Sequence, residues 1–209
     1  MSFGLATTLE NQYVRLEPLR ESHADALADS VQEGELWRAW YTNVPAPRSM
    51  ADAVNARIAS GERGEIVPWA IIDHTSNRAI GMSSYLHLEP ANRRLEIGST
   101  WIGNAYHGTA INPAAKLLML ERAFDGLGCI AVEFRTHWHN RRSRAAIEKV
   151  GAKQDGVLRN HMILPNGSVR DTVVYSIIES EWPTVRFGLE ERLKRFPTAR
   201  TASHLTDSP

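Results

Sequence analysis

The chain has 209 residues, enough for one domain with a substantial core. Its 24 basic and 24 acidic residues cancel, which removes the global field that a nucleic-acid or acidic-membrane binder uses. The single cysteine, Cys129, excludes an intrachain disulfide and a cysteine metal cluster. No apolar run approaches the ~20 residues needed to span a bilayer. MSFGLATTLENQYVRL lacks a basic start followed by a long apolar stretch, so no signal peptide is expected. These features predict a soluble, cytoplasmic protein with neither a membrane nor a nucleic-acid partner.

In chain order, YVRLEPL (13–19) alternates apolar residues and reads as the opening strand. Ser22 and Asp25 have capping-box spacing for a helix through ADALADSV, and Ser49 and Asp52 repeat it before AVNARIAS. LWRAWYTNVPAP, dense in aromatics and proline, separates the two helices as irregular structure. VPWAIID (67–73), RAIGMSSYL (78–86) and RRLEIGSTWI (93–102) are strands joined by the turn formers DHTSN and HLEPAN, which predicts an antiparallel meander.

YHGTAINPAAK (106–116) leads into a helix with Leu117, Leu120, Phe124 and Leu127 at helical spacing. Asn112 is expected as its N-cap and Pro113 as its first residue. IAVEFRT (130–136) is a strand, and Cys129 before it reads as a small core residue. Asn140 caps a helix with Ala146, Ile147 and Val150 on one face, ended by a left-handed Gly151. GVLRNHMILPNGSVRDTVVYSII folds as a hairpin around Pro-Asn-Gly. The order predicts an α/β fold, a mixed sheet with helices on both faces, in a single domain over 1–196. The polar segment 197–209 is expected to be a disordered tail.

Two segments carry chemistry. The loop around 107–112 places backbone N–H groups at the mouth of a helix, where the dipole favours an anion such as a pyrophosphate; by itself it reads equally as an ordinary capped strand-to-helix turn. It is neither a P-loop nor a dinucleotide fingerprint, because the Gly-Lys-Ser/Thr and the required glycines are missing. In HNRRSRAAIEKVGA (139–152), Asn140 offers an amide that donates and accepts, and Ser143 follows on the same side. The simpler reading makes Asn140 only a cap.

Taken together, these segments resemble the GCN5-related N-acetyltransferase (GNAT) superfamily over roughly residues 10–182, within its RimJ/RimL-like ribosomal-protein N-α-acetyltransferase branch. The matches are Asn140 and Ser143, then AIEKVG at 146–151, then Gly156, Leu158, Arg159, Arg170, Asp171, Tyr175 and Ser176 in order. The family's phosphate loop, Gln/Arg-x-x-Gly-x-Gly/Ala, is altered: His107 stands at its outer position, Ala110 at its central glycine and Asn112 at its last small residue. Ala110 suits the loop only with a right-handed backbone and a methyl that clears the phosphate.

The resemblance implies a GNAT fold of about seven strands, splayed at a cleft for acetyl-CoA between strands 93–102 and 130–136. It implies direct attack of an amine on the thioester, with no metal. Ser99, Thr100, Trp101 and Ile102 would pair with the pantetheine arm, and His107, Gly108, Thr109, Ala110, Ile111 and Asn112 would wrap the pyrophosphate. Asn140 would bond the arm or the reacting amide, and Ser143 would serve the leaving thiolate as hydrogen-bond donor or general acid. Glu96 would be the general base, often through water, although it also reads as a surface or hydrogen-bonding carboxylate on a sheet face. Trp37, Trp40, Tyr41, Arg159 and His161 would bound the acceptor, although Trp37 also reads as core and His161 as a hairpin hydrogen bond. Arg170 and Asp171 read as a structural ion pair or a hairpin anchor.

One modest base suits an N-terminal amine. With a pKa near ~7.8 it costs only about 1.1 kcal/mol to deprotonate at pH 7, whereas a lysine near ~10.4 costs about 4.6 kcal/mol. The alternatives are a small-molecule amine, antibiotic or toxin as acceptor, a non-catalytic acyl-CoA-binding module, and an unrelated α/β binding domain. Exposed strand edges and EWPTVRFGLEERLKRF permit a homodimer.

Overall fold

The computed structural model describes residues 3–196; the segment 197–209 lies outside the described residues. The strands are β1 (Leu9–Glu10), β2 (Val14–Pro18), β3 (Val67–Asp73), β4 (Arg78–Glu89), β5 (Arg94–Ile102), β6 (Ala131–His137), β7 (Lys153–Ile163) and β8 (Val169–Ile178). They form one eight-stranded sheet in the order β1-β2-β3-β4-β5-β6-β8-β7, one strand more than expected because the two-residue β1 pairs with β2. Every neighbouring pair is antiparallel except β5 and β6, so the meander over β3–β5 is as expected.

Helices cover both faces. α3 (Ile111–Glu121) and α5 (Trp182–Leu193) close a core with Trp69, Tyr85, Leu95, Ile97, Phe134 and Tyr175. Val150 of α4 (Arg141–Val150) joins the same cluster. On the other face, α1 (Ala24–Gln32) and α2 (Met50–Glu62) bury Leu27, Val31, Met50 and Val54 against Ala70, Met82 and Trp101. That second cluster contains nothing from β6, β7 or β8. Its side of β6 carries Glu133, Arg135 and His137 instead, alternating with the core residues Val132 and Phe134.

Several local expectations shift. His23, not Ser22, is the N-cap of α1, and the preceding turn is held by the Arg20 amide donating to His23 Nδ1 at 3.2 Å. Ser49 caps α2 by position, but its hydroxyl donates to the Ala46 carbonyl at 3.1 Å. α3 begins two residues earlier than read: Ala110 is the N-cap, and Asn112 and Pro113 lie inside the first turn, where a missing N–H is harmless. α5 went unread because Gly188 and the exposed Phe187 interrupt the apolar spacing of Trp182, Val185 and Leu189. Asn140 and Gly151 cap α4 as expected, Gly151 at φ 109°.

Lys116 breaks the apolar pattern of α3. It is buried, and its Nζ donates to Thr100 Oγ1 at 2.7 Å and to Ser83 Oγ at 3.2 Å. Among the described residues no carboxylate lies within 4.0 Å of it. Burial therefore lowers its pKa to about 7 from the ordinary 10.5. Between those values the unfolded chain binds more protons than the folded one, so this group makes stability rise with pH across that window. Denaturant unfolding from pH 7 to 10 should show that rise in the wild type relative to Lys116→Met. Parallel curves would refute it.

Candidate active site

Strands β5 and β6 pair only over Arg94–Glu96 and Ala131–Glu133. Beyond Glu96 they diverge, with β6 held on its far side by β8 along its whole length and β5 held by β4. The result is a cleft between two strands of one sheet. β5 also carries a bulge: Met82 faces Trp101 and Ser84 faces Gly98, so Ser99 and Thr100 oppose the single residue Ser83. Ser99 takes a left-handed φ of 49°. Both bulge residues are exposed, whereas Trp101 and Ile102 turn into the two cores.

At the open end of the cleft stands the loop before α3. Gly108 needs its freedom for φ 79°, and the space beyond its Cα is open. Ala110 is right-handed at φ −65°, ψ −21°, the condition for an alanine there. The Thr109 hydroxyl donates to the Tyr106 carbonyl and accepts from the Ile111 amide. The amides of Gly108, Thr109, Ala110 and Asn112 take no acceptor among the described residues. Free N–H groups at a helix N-terminus are a fit for a pyrophosphate. His107 is different: its Nε2 donates to the Ile102 carbonyl at 2.8 Å and its Nδ1 meets the Asn104 side-chain amide at 2.9 Å. Its ring closes the loop instead of reaching outward, and burial keeps its pKa low.

On the β6 side, Asn140 Oδ1 accepts from the Ser143 amide at 3.0 Å. The cap thus uses one end of the side chain and leaves Nδ2 for another partner. Ser143 sits beside it, half-buried.

Glu96 is buried at the fork itself, 4% exposed. Its Oε2 meets His87 Nδ1 at 2.8 Å and Arg135 Nε at 3.6 Å. Glu133 extends the network by accepting from Arg94 and from Arg135. Desolvation raises the Glu96 pKa, opposed by His87 and then Arg135. Gly98 makes room for this carboxylate, because a Cβ there would lie 2.5 Å from Glu96 Oε1.

The predicted acceptor residues divide. Trp37 packs on the α1–α2 core, and His161 Nδ1 bonds Thr172 Oγ1 at 3.0 Å within the hairpin. Arg159 is exposed and pairs with Asp171, which also accepts from the Asn160 amide. Asp171 therefore anchors the hairpin, while Arg170 donates to Thr172 instead of pairing with Asp171. Trp40 and Tyr41 do line the open face. The Trp40 ring is 49% exposed and lies edge-on to Tyr41 at 5.5 Å and to His137 at 5.1 Å. His137 Nδ1 accepts from the His139 amide, which puts the proton on Nε2. That nitrogen is buried with no hydrogen-bond partner.

Residues 14–153 match the model of the acetyltransferase (GNAT) domain family. The chain belongs to the GNAT family. Proteins of this family are acyltransferases that use acetyl-CoA, and the splayed cleft and free amides fit that group. The chain is 34% identical over 102 residues to a Bacillus subtilis (strain 168) protein named "Putative ribosomal N-acetyltransferase YdaF", covering 49% of this chain and 55% of that one. It therefore spans about half the length of that relative. It is 27% identical to the B. subtilis N-acetyltransferase YoaA, over 82% of this chain and 96% of the other. A GCN5-related N-acetyltransferase from Brucella melitensis superposes with TM-score 0.81 at 26% identity, covering 97% and 95% of the two chains. The fold of Mycobacterium smegmatis RimJ, solved with CoA-disulfide, matches with TM-score 0.75 at 21% identity, covering 90% and 96%.

Among described residues no cluster of metal-binding side chains occurs, and no helix is long and apolar enough to cross a membrane. Cys129 is buried, which raises its pKa to about 11 and keeps the thiol protonated. Sequence reasoning missed His87, Glu133, Arg135, His137 and Lys116. The run THWHN, with two histidines just before Asn140, and the lysine inside AAKLLML were the available signals. Gly98→Ala should displace Glu96 and lower turnover at least about tenfold while far-UV dichroism holds. Unchanged turnover would show that Glu96 tolerates displacement.

Proposed function

We propose that this GNAT protein transfers the acetyl group of acetyl-CoA directly to a primary amine, the N-terminal α-amine of a peptide or protein. The observation that carries this reading is Glu96: a carboxylate buried at the strand fork, where desolvation raises its proton affinity. It borders a polar sheet face that the α1–α2 core leaves uncovered.

The bound thioester supplies an activated acetyl group. The amides of Gly108, Thr109, Ala110 and Asn112 hold the pyrophosphate, with Ile111 fixing the first turn of α3 in the core. Backbone along Ser99, Thr100, Trp101 and Ile102 pairs with the pantetheine arm. Asn140 Nδ2 would orient that arm, and the Ser143 hydroxyl would protonate the leaving sulfur and recover its proton from solvent in the open cleft. On the opposite side, Trp40 and Tyr41 wall the acceptor. Glu96 takes the proton from the incoming ammonium, directly or through one water. His87, exposed and bonded to Glu96 Oε2, passes that proton to solvent.

A base of this kind suits an α-amine near ~7.8 better than a lysine near ~10.4. The name of the YdaF relative, a ribosomal N-acetyltransferase, supports a protein substrate for this chain as well.

An acetyl-transfer assay over Ser- and Ala-initiated peptides, free lysine, polyamines and aminoglycosides tests the acceptor. Peptide N-termini should lead by at least about tenfold in kcat/KM, the equivalent of ~1.4 kcal/mol. A leading small amine would replace this reading, and no transfer to any amine would leave an acyl-CoA-binding module. For Glu96→Gln, the loss should reach about 10²-fold near pH 6 and shrink above about pH 8, where the amine is already neutral. A loss independent of pH would assign Glu96 a structural role. Ser143→Ala should cut kcat by about 10²-fold with acetyl-CoA affinity unchanged; an intact kcat would remove Ser143 from the acid role.

A further inference from the structure

Lys116 is the one buried group of α3 that the proposed chemistry does not use. Its neighbours along the helix, Ala114, Ala115, Leu117 and Met119, are all buried and apolar. An amine in that setting weakens the fold, since removing it from water costs more than two hydroxyl partners return. A methionine of similar length would suit the core better.

The position of the head group indicates what it does. Side chains on a helix lean toward its N-terminus, so the lysine stem runs from α3 toward the sheet on the side of the phosphate loop. Nζ reaches the sheet where the β4–β5 ladder is broken. There it donates to Thr100 Oγ1 on the bulge and to Ser83 Oγ on the facing strand, and those hydroxyls bond each other at 2.7 Å. The triangle ties three elements at one point: the helix that opens at the phosphate cradle, the bulged strand and its partner. Ser99, next to Thr100, sits in a left-handed conformation that a non-glycine residue holds only when its surroundings impose it.

We propose that Lys116 is a positioning residue that holds the β5 bulge in the shape that grips the pantetheine arm of acetyl-CoA, and sets its distance from the phosphate cradle at the head of α3. The inference rests on the reading of Ser99–Ile102 as the strand that pairs with the arm. Lys116 touches neither the cofactor nor the acceptor; it acts through Thr100.

Calorimetric titration with two probes tests this. One is acetyl-CoA; the other is adenosine 3′-phosphate 5′-diphosphate, which keeps the phosphates and lacks the arm. Lys116→Met should weaken acetyl-CoA at least about tenfold and leave the fragment within about twofold, since only hydrogen bonds at the bulge are lost. Its melting temperature should hold or rise by about 2–4 °C. Lys116→Gln, which keeps a donor at similar reach, should recover most of the affinity. Thr100→Val removes the same bond from the strand side, and should give the same split between probes even if the Lys116 variants fail to fold.

Equal binding of acetyl-CoA by wild type and Lys116→Met would overturn the proposal. So would a parallel loss for both probes, or a loss that tracks a falling melting temperature. Failure of the wild type to bind acetyl-CoA would instead overturn the reading of the cleft itself, which keeps the two failures apart.

Discussion

Strands β5 and β6 share three residues of parallel pairing and then separate, and the site is organised around that divergence. Separation leaves the facing edges of two central strands without a ladder partner, in the middle of the sheet where a protein normally satisfies every backbone group. Such an edge is stable only because each strand is held from its other side, β5 by β4 and β6 by β8. An extended ligand with amide groups can take up the vacant pairing, as an added strand would. The anion cradle lies at the open end because α3 starts where β5 stops, and a helix start is where unpaired N–H groups occur.

The same divergence accounts for the electrostatics. Glu96 is the last residue of β5 paired with β6, so it sits at the apex of the fork, enclosed yet adjacent to open space. Burial raises its proton affinity, while His87 and Arg135 pull the other way. The balance leaves a carboxylate that can exchange a proton with a neighbour, which a fully ion-paired one does less readily. Glu133, directly opposite Glu96 in the register, takes up Arg94 and shares Arg135. The arginines are thereby divided between two carboxylates instead of neutralising one.

The two faces of the sheet are closed in different ways. Apolar helices cover the first face from β2 to β8 and the second only as far as β5. Over β6 and β8 the second face is polar, and what closes it is the irregular loop that carries Trp40 and Tyr41. A loop of this kind tolerates change without disturbing the core, which is where families vary their acceptors.

Much of this was legible in the chain. Period-two and helical patterns located seven of the strands and four of the helices, and cap chemistry placed α4 by Asn140 and Gly151. Motif spacing identified the family. What the sequence could not convey was which groups share a wall. Lys116, Thr100 and Ser83 come from three elements, and no local pattern announces that a lysine in AAKLLML points into the sheet. His137 and His161 look equivalent as residues, yet His161 is absorbed by a hairpin hydrogen bond while His137 keeps an unpartnered N–H beside Trp40. Local propensity and hydrophobic period are properties of neighbours along the chain, and they determined the elements and the fold class. Hydrogen-bond partners, burial and proton affinity are properties of neighbours in space, and for this protein only the tertiary structure decided them.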